Sequence, residues 1–260
     1  MIDIGVNLAD KSFDRDRLEV LKRANIAGVK KIVITGSCDD SNLKASHLAA
    51  KNPGFLYSTA GVHPHYASSF NDGSIDIIKK LSKEKSIVAI GECGLDYYRN
   101  LSPREIQIKV FIQQLTIAEE SCLPVFLHQR NAHEDFVKIL KPYIKNLKKV
   151  VVHCFTGNAE ELHEYIDMGF YIGITGWICD ERRGVHLQNI IHAIPDKKIL
   201  IETDAPYLLP RTINPKPKSR RNEPMHLPEV AKVVAKARNQ SLEGISKITT
   251  ENAMRFFDLK

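Results

Sequence analysis

Residues 149–157, KVVVHCFTG, form a run of β-branched residues that halts at His153 and then turns. A short apolar run bounded by turn residues reads as a strand buried on both faces. The same event recurs along the chain. MIDIGVN, KKIVITGS, FLYSTAGVHPH, SIVAIGECGLD, PVFLHQR, FYIGITGW and KILIETDAPY start near residues 1, 30, 55, 86, 124, 170 and 198, and with the first run they make eight. Between most of them lie segments such as RDRLEVLKRANIAG (15–28), PREIQIKVFIQQLTIAEESC (103–122) and NAEELHEYIDMG (158–169), where apolar residues return every three or four positions as on one face of a helix. Pro103 falls in the first turn of the second, where a missing N–H costs nothing.

Strands that alternate with helices indicate βαβ units and a parallel sheet. Eight such units in 260 residues match an α/β fold of the TIM-like (β/α)8 barrel type. An open doubly wound sheet would more often show fewer strands and a G-x-G-x-x-G after the first, and that fingerprint is absent. From residue 211 the chain reads RTINPKPKSRRNEPMHLPEV, whose four prolines and five basic residues predict an extended, solvated loop. Helices are expected after it at LPEVAKVVAKARN, LEGISKITT and ENAMRFFDL. No composition shift marks a second domain, so residues 1–260 are expected to form one barrel.

A hydrophobic content of 43% suits a chain with a sizeable buried core. No window approaches the roughly 18 uninterrupted apolar residues of a membrane helix, and the first residues lack the layout of a signal peptide, so a cytoplasmic protein is expected. Five widely spaced cysteines, Cys38, Cys93, Cys122, Cys154 and Cys179, suit reduced thiols better than a disulfide framework. The formal charge of +6 favours a polyanionic partner without requiring one.

In a parallel barrel the residues just past each strand gather on one face, where the chemistry of such enzymes is placed. The third strand delivers His63 and His65, the fourth Glu92 and Asp96, the fifth His128 and Arg130, the sixth His153, and the eighth Glu202 and Asp204. Adjacent strands lie about 4.8 Å apart, so Glu92, His128 and His153 can converge. Two imidazoles and a carboxylate make a metal site with open positions. A divalent cation there acidifies water and polarises a phosphoryl or carbonyl oxygen, which makes hydrolysis the default chemistry. Asp204 could accept the proton. No G-x-S-x-G elbow offers a covalent route. Arg130, with Lys216, Lys218, Arg220 and Arg221 of the late loop, could hold phosphate oxygens, which tilts the substrate toward a phosphodiester. His63 and His65 are read as substrate-side groups, with loop anchoring the alternative for His65 and turn capping for Asp96. His47, His163, His186 and His192 are read as surface residues and His133 as a helix start. Tyr97, Tyr98, Trp177 and Tyr207 could stack bases or pack in the core.

STAGVHPH, AIGECGLDYYRN, PVFLHQRNAHE, VVHCFTG, YIGITGWICDERRG, ILIETDAPYLLP and KSRRNEP resemble the motifs of the TatD-type metal-dependent deoxyribonucleases, and the resemblance runs from DIGVN to ENAMRFF. It implies a barrel of the amidohydrolase type, a divalent metal centre, and 3′-to-5′ exonuclease action on DNA connected with repair or degradation. A barrel mouth admits a single-stranded end more readily than a stiff duplex. By motif, Glu92, His128 and His153 are similar to the family's metal ligands, and Asp204 to its eighth-strand carboxylate, ligand or base. The resemblance implies magnesium-supported activity, whereas ligand softness favours zinc, and manganese is a third candidate. The family's H-x-H at the end of the first strand is here Gly5 and Asn7, so a single tightly held metal is expected. Two rival readings are a metal-dependent amide or ester hydrolase of a small molecule, insensitive to salt, and a non-catalytic nucleic-acid-binding protein.

Overall fold

A computed structural model describes residues 1–260. It contains β1 (Ile2–Val6), β2 (Lys31–Ile34), β3 (Leu56–Ala60), β4 (Ile87–Asp96), β5 (Val125–Arg130), β6 (Val150–Val152), β7 (Tyr171–Ile174) and β8 (Ile199–Ile201). Each strand pairs in parallel with its sequence neighbour, in the order β1 to β8. The two edges meet at a single bridge, Val6 to Ala205, flanked by Asn7 N–H to Ala205 O at 2.7 Å and Asp204 N–H to Gly5 O at 2.9 Å. The sheet thereby curls into a nearly closed barrel, and the expected TIM-like architecture holds.

Nine α-helices, interspersed with short 3₁₀ turns, accompany the strands: α1 (Arg17–Ile26), α2 (Asp39–Lys51), α3 (Asp72–Leu81), α4 (Arg104–Ser121), α5 (His133–Leu140), α6 (Ala159–Asp167), α7 (Val185–Ile190), α8 (Leu227–Ala237) and α9 (Leu242–Phe257). Their starts have local causes. Asn158 accepts from the Glu161 N–H at 3.0 Å while Glu161 reaches back to the Asn158 N–H, and Asn71 with Ser74 makes the same box for α3. Cys122, in the left-handed region, ends α4.

Two details differ from expectation. Pro103 caps α4 from outside instead of sitting in its first turn. LEGISKITT and ENAMRFFDL form one helix, α9, because the polar residues at its middle find tertiary or local partners. Thr249 Oγ1 donates back to Ile245 O at 2.8 Å, and Asn252 Nδ2 donates to the carbonyls of Asp196 and Ile199.

The strands alternate by face, as a period of two requires. Ile32 and Ile34, Val125 and Leu127, Val150 and Val152, Ile199 and Ile201 belong to a 54-residue core that also takes in the helices. The residues between them, Val33, Phe126, Val151 and Leu200, join a separate 13-residue cluster with Phe256 and Phe257 of α9. One step further along the inner face the side chains become ionisable: His128, His153 and Glu202. No helix is long and apolar enough to cross a membrane.

Candidate metal centre

β4 reaches further than its neighbours and pairs Gly94 with His128 and Asp96 with Arg130, which sets Glu92 beside β5. The approach needs glycine. Gly91 has φ +139°, and a Cβ there would run into the Phe126 carbonyl oxygen.

Three imidazoles surround one oxygen of Glu92. Nε2 of His153 lies 2.7 Å from Glu92 Oε1, Nδ1 of His128 3.1 Å, and Nε2 of His63 3.3 Å. A second carboxylate braces the far side: Asp96 Oδ2 meets His65 Nε2 at 2.7 Å and His128 Nε2 at 3.2 Å, while Oδ1 accepts from the Arg99 N–H. Asp96 therefore caps its turn and also orients two imidazoles, and His65 is tied down by the same contact.

Glu202, fully buried, accepts from the Cys154 N–H at 2.6 Å and faces His153 Nδ1 at 3.3 Å. Its carboxylate fills space that a side chain at position 5 or 173 would need, since a Cβ on either glycine would overlap it. Gly5 is thus more than an absent histidine. Asp204 accepts from Asn7 Nδ2 at 2.9 Å, so Asp204, which the sequence leaves without a partner, is anchored by the residue that stands at the end of the H-x-H stretch.

One ligand atom each from His63, Glu92 and His128 lie within 4.8 Å of one another. Proximity alone would choose His63 as the third ligand, but the hydrogen bonds argue otherwise. His63 Nδ1 accepts the His65 backbone N–H at 3.0 Å, so the neutral ring carries its proton on Nε2, which is then a donor and not a lone pair for a cation. His153 is the reverse case. Its Nδ1–H donates to Glu202, so Nε2, which meets Glu92, is the nitrogen that could exchange its proton for a cation, the carboxylate–histidine arrangement typical of metal-bound imidazole. A lone pair facing a carboxylate oxygen at 2.7 Å needs a shared proton or a cation. The donor set fits a divalent ion.

The charges respond accordingly. Burial works against ionisation of Glu92, yet the His63 and His153 charges and hydrogen bonds from His128 and His153 hold it well below the usual carboxylate range. Burial opposes the charge on His153, but Glu92 and Glu202 hold it well above the imidazole range. His128 is likewise raised against burial, through Asp96 and Glu92. His63 is pushed down to about 4, by burial first and then by its imidazole neighbours, against the pull of Glu92. Burial pushes Asp204 up to about 7, with Glu92 and Glu202 adding to the rise and His153 opposing it. These are the perturbations expected where carboxylates and imidazoles are gathered for chemistry.

Arg130 lies over the Tyr98 ring at 3.9 Å, with the Trp177 ring centroid 5.6 Å away. Tyr98 and Tyr207 are exposed, whereas Tyr97 donates to Asp135 at 2.7 Å and is spent on packing the loop. Arg221, read from sequence as a phosphate-binding cation, is instead held by Asp16 at 2.7 Å and Glu223 at 2.8 Å. Of the four surface histidines, His47, His163 and His192 ride on helices or short turns, and His186 on α7 faces the Thr156 carbonyl oxygen at 3.2 Å. His133 opens α5 and contacts Glu164. Sequence reasoning named Glu202 as a rim residue but assigned it no role, although it stands two positions beyond inward-facing Leu200. Asn7 offered no such signal, because its partner is 197 residues away.

Comparison with known proteins adds an independent line. A family model described as TatD related DNase matches residues 2–258. The chain is 51% identical, over all of both chains, to the "3'-5' ssDNA/RNA exonuclease TatD" of Yersinia pseudotuberculosis serotype O:3 (strain YPIII). Its structure is similar to that of a TatD family hydrolase from Entamoeba histolytica, with a TM-score of 0.91 at 29% identity, covering 100% of this chain and 98% of the other. The same holds for YJJV, a TatD homolog from Escherichia coli k12, with a TM-score of 0.91 at 27% identity and the same coverage.

Proposed function

The chain belongs to the family of TatD-related DNases, and from that premise we propose that it is a metal-dependent nuclease that removes nucleotides from single-stranded DNA ends in the 3′-to-5′ direction, with RNA as a second substrate. The observation that carries the reading is the ring of three imidazole nitrogens around one Glu92 oxygen at the mouth of the barrel, with Asp204 beside it. A relative named as an exonuclease of single-stranded DNA and RNA supports the choice of substrate.

Glu92, His128 and His153 would hold the cation, with Asp204 as a further ligand or as the base. Such an ion supplies Lewis-acid polarisation of a phosphoryl oxygen and acidification of water. Magnesium is proposed for activity, with zinc or manganese able to replace it, because the donors are mixed nitrogen and oxygen. With the H-x-H pair absent and Glu202 occupying the space beside Gly5, one tightly retained equivalent is expected. Elemental analysis that finds two would refute that count.

The chain's own groups divide the remaining work. Asp204, with Asn7 donating to one oxygen, takes the proton from the attacking water through the other. His63, with its proton on Nε2, and Arg130, steadied against Tyr98, donate to non-bridging phosphate oxygens. His65 aligns His128 through the shared Asp96 oxygen. Glu202 keeps His153 Nε2 turned inward. The place of action is proposed to be the reducing cytoplasm, with which the five free cysteines accord, and the role DNA repair or degradation.

A 3′-labelled and a 5′-labelled single-stranded oligonucleotide, incubated with the metal-loaded protein, test the proposal. The 5′ label should yield a descending ladder and the 3′ label an immediate mononucleotide. Intact strands with every metal, or internal cuts alone, would refute it.

A further inference from the structure

The loops after β7 and β8 enclose a cavity of about 670 Å³. None of the centre's residues lines it. Its wall carries six cations and one carboxylate, Asp180. Three of the cations are already engaged: Arg182 and Arg183 clasp Asp180 at 3.1 and 2.9 Å, and Arg211 pairs with Glu181. The other three, Lys216, Lys218 and Arg220, are exposed and have no carboxylate or hydrogen-bonding partner. They stand at alternate positions of an irregular, proline-bearing stretch, and all three reach the same cavity. Arg221, immediately after them, is paired with Asp16 and Glu223, so the contrast within one loop is sharp.

One aromatic residue links the cavity wall to Arg130. Trp177 forms part of the wall, with Arg183 over its ring at 4.3 Å and Arg130 at 5.6 Å. Arg130 is two residues beyond His128 on β5. The far wall, Leu208 to Arg211, begins four residues after Asp204.

We propose that this cavity holds the phosphates of the single strand upstream of the end being cleaved, with Trp177 stacking a base where the strand leaves the centre. The proposal rests on the nuclease reading above and extends it to substrate length. An excess of unpaired, solvated cations beside an aromatic face is what a sequence-tolerant single-strand track requires. A site for one small anion would instead present buried, converging donors.

Trp177 is the only tryptophan in the chain, so its fluorescence reports occupancy without a label. The metal-stripped protein is titrated with a single-stranded oligonucleotide of roughly a dozen nucleotides, a length within the site sizes of single-strand binders, and with a trinucleotide, a mononucleotide and inorganic phosphate. The oligonucleotide should quench Trp177 and bind at least about tenfold tighter than the trinucleotide. In the variant K216Q/K218Q/R220Q that advantage should vanish, and the slope of log affinity against log salt should shrink by about 2, the loss of three phosphate contacts on a single strand. The thermal midpoint of the variant serves as the fold control. Equal affinity for long and short strands in the wild type would overturn the proposal, as would an unaltered slope in the variant. Quenching by phosphate or a mononucleotide at the same concentration would also overturn it. Digestion of the same oligonucleotide by metal-loaded wild type reports separately on the nuclease reading: quenching without cleavage counts against that reading and for the track.

Discussion

On the inner face of β5, β6 and β8, Phe126, Val151 and Leu200 sit one strand repeat below His128, His153 and Glu202. Two residues of strand are about 6.6 Å, so a dry apolar plug and a cluster of charges share the same barrel within a single side-chain layer. The two layers are held by different physics. The lower one is closed by Phe256, which meets Tyr171 with ring centroids 5.0 Å apart, and its stability comes from burial and close packing. The upper one sets the carboxylates of Glu92 and Glu202 against the imidazoles of His128 and His153, and each charge is tolerable only because the others are present. The layers touch where the Phe126 ring packs 4.6 Å from that of His153. Stability and chemistry should therefore be separable by choosing the layer.

The largest effect is expected at the top. Glu92→Ala should lower nuclease activity by about 10⁴-fold or to the detection limit, since it removes the oxygen on which the imidazoles converge. Circular dichroism should still report a folded, cooperatively melting barrel. Activity near the wild-type level would remove Glu92 from the centre, and a collapsed fold would mean that the layers are not separable.

Below the centre the signature should reverse. Phe256→Ala opens a cavity at a fully buried ring and should cost about 3–5 kcal/mol in denaturant unfolding, while the folded fraction keeps its specific activity. A change under about 1 kcal/mol would show that α9 merely covers the barrel floor without filling it.

The seam between β1 and β8 departs from this division, because it buries a further carboxyl group beside Thr203. Asp3 accepts from Thr203 N–H at 2.9 Å and Thr203 Oγ1–H at 2.6 Å, yet burial pushes its pKa up to about 8. Between the unfolded value near 3.8 and this folded value, the native state keeps a proton that the unfolded chain has released. The resulting stabilisation is complete below about pH 4 and is lost as pH rises through 8, at up to about 1.4 kcal/mol per pH unit. Urea midpoints from pH 5 to 8 should fall with this slope in the wild type and flatten in Asp3→Asn. Identical slopes would mean that Asp3 is ionised in the fold.

Much of this division could be read in the chain before any coordinates. The eight apolar runs became the eight strands because each is too short and too β-branched to be anything else in an alternating chain. Glu92, His128 and His153 were visible because they follow apolar runs at equivalent points. What escaped depends on partners distant in sequence. Asn7 acquires its meaning from Asp204, α9 its continuity from Asp196 and Ile199, and Gly5 its necessity from the Glu202 carboxylate. Local pattern carries no information on such pairings.

The late loop poses the same problem on the smallest scale, since SRR reads as uniform charge while the structure divides it. Arg220 is free, whereas Arg221 donates to both Asp16 oxygens, at 2.8 and 2.7 Å, to Glu223 at 2.8 Å and to the Ser12 carbonyl oxygen, with its guanidinium over Phe13. The Arg221 hydrogen bonds overcome partial burial to hold the Asp16 carboxyl at about 2. A depressed folded pKa stabilises the protein above the unfolded value near 3.8, and that contribution is lost as pH falls through 2. The pair is partly solvated and screened, so Arg221→Ala should cost only about 1 kcal/mol at neutral pH and less at pH 2. The salt slope of strand binding should stay as in the wild type, because four of this arginine's five N–H donors, and its charge, are taken up by Asp16, Glu223 and the Ser12 carbonyl oxygen. If Arg221→Ala weakened strand binding as much as the loss of Arg220, the loop would act as one undivided basic patch, and its structural and substrate-facing halves would have to be merged.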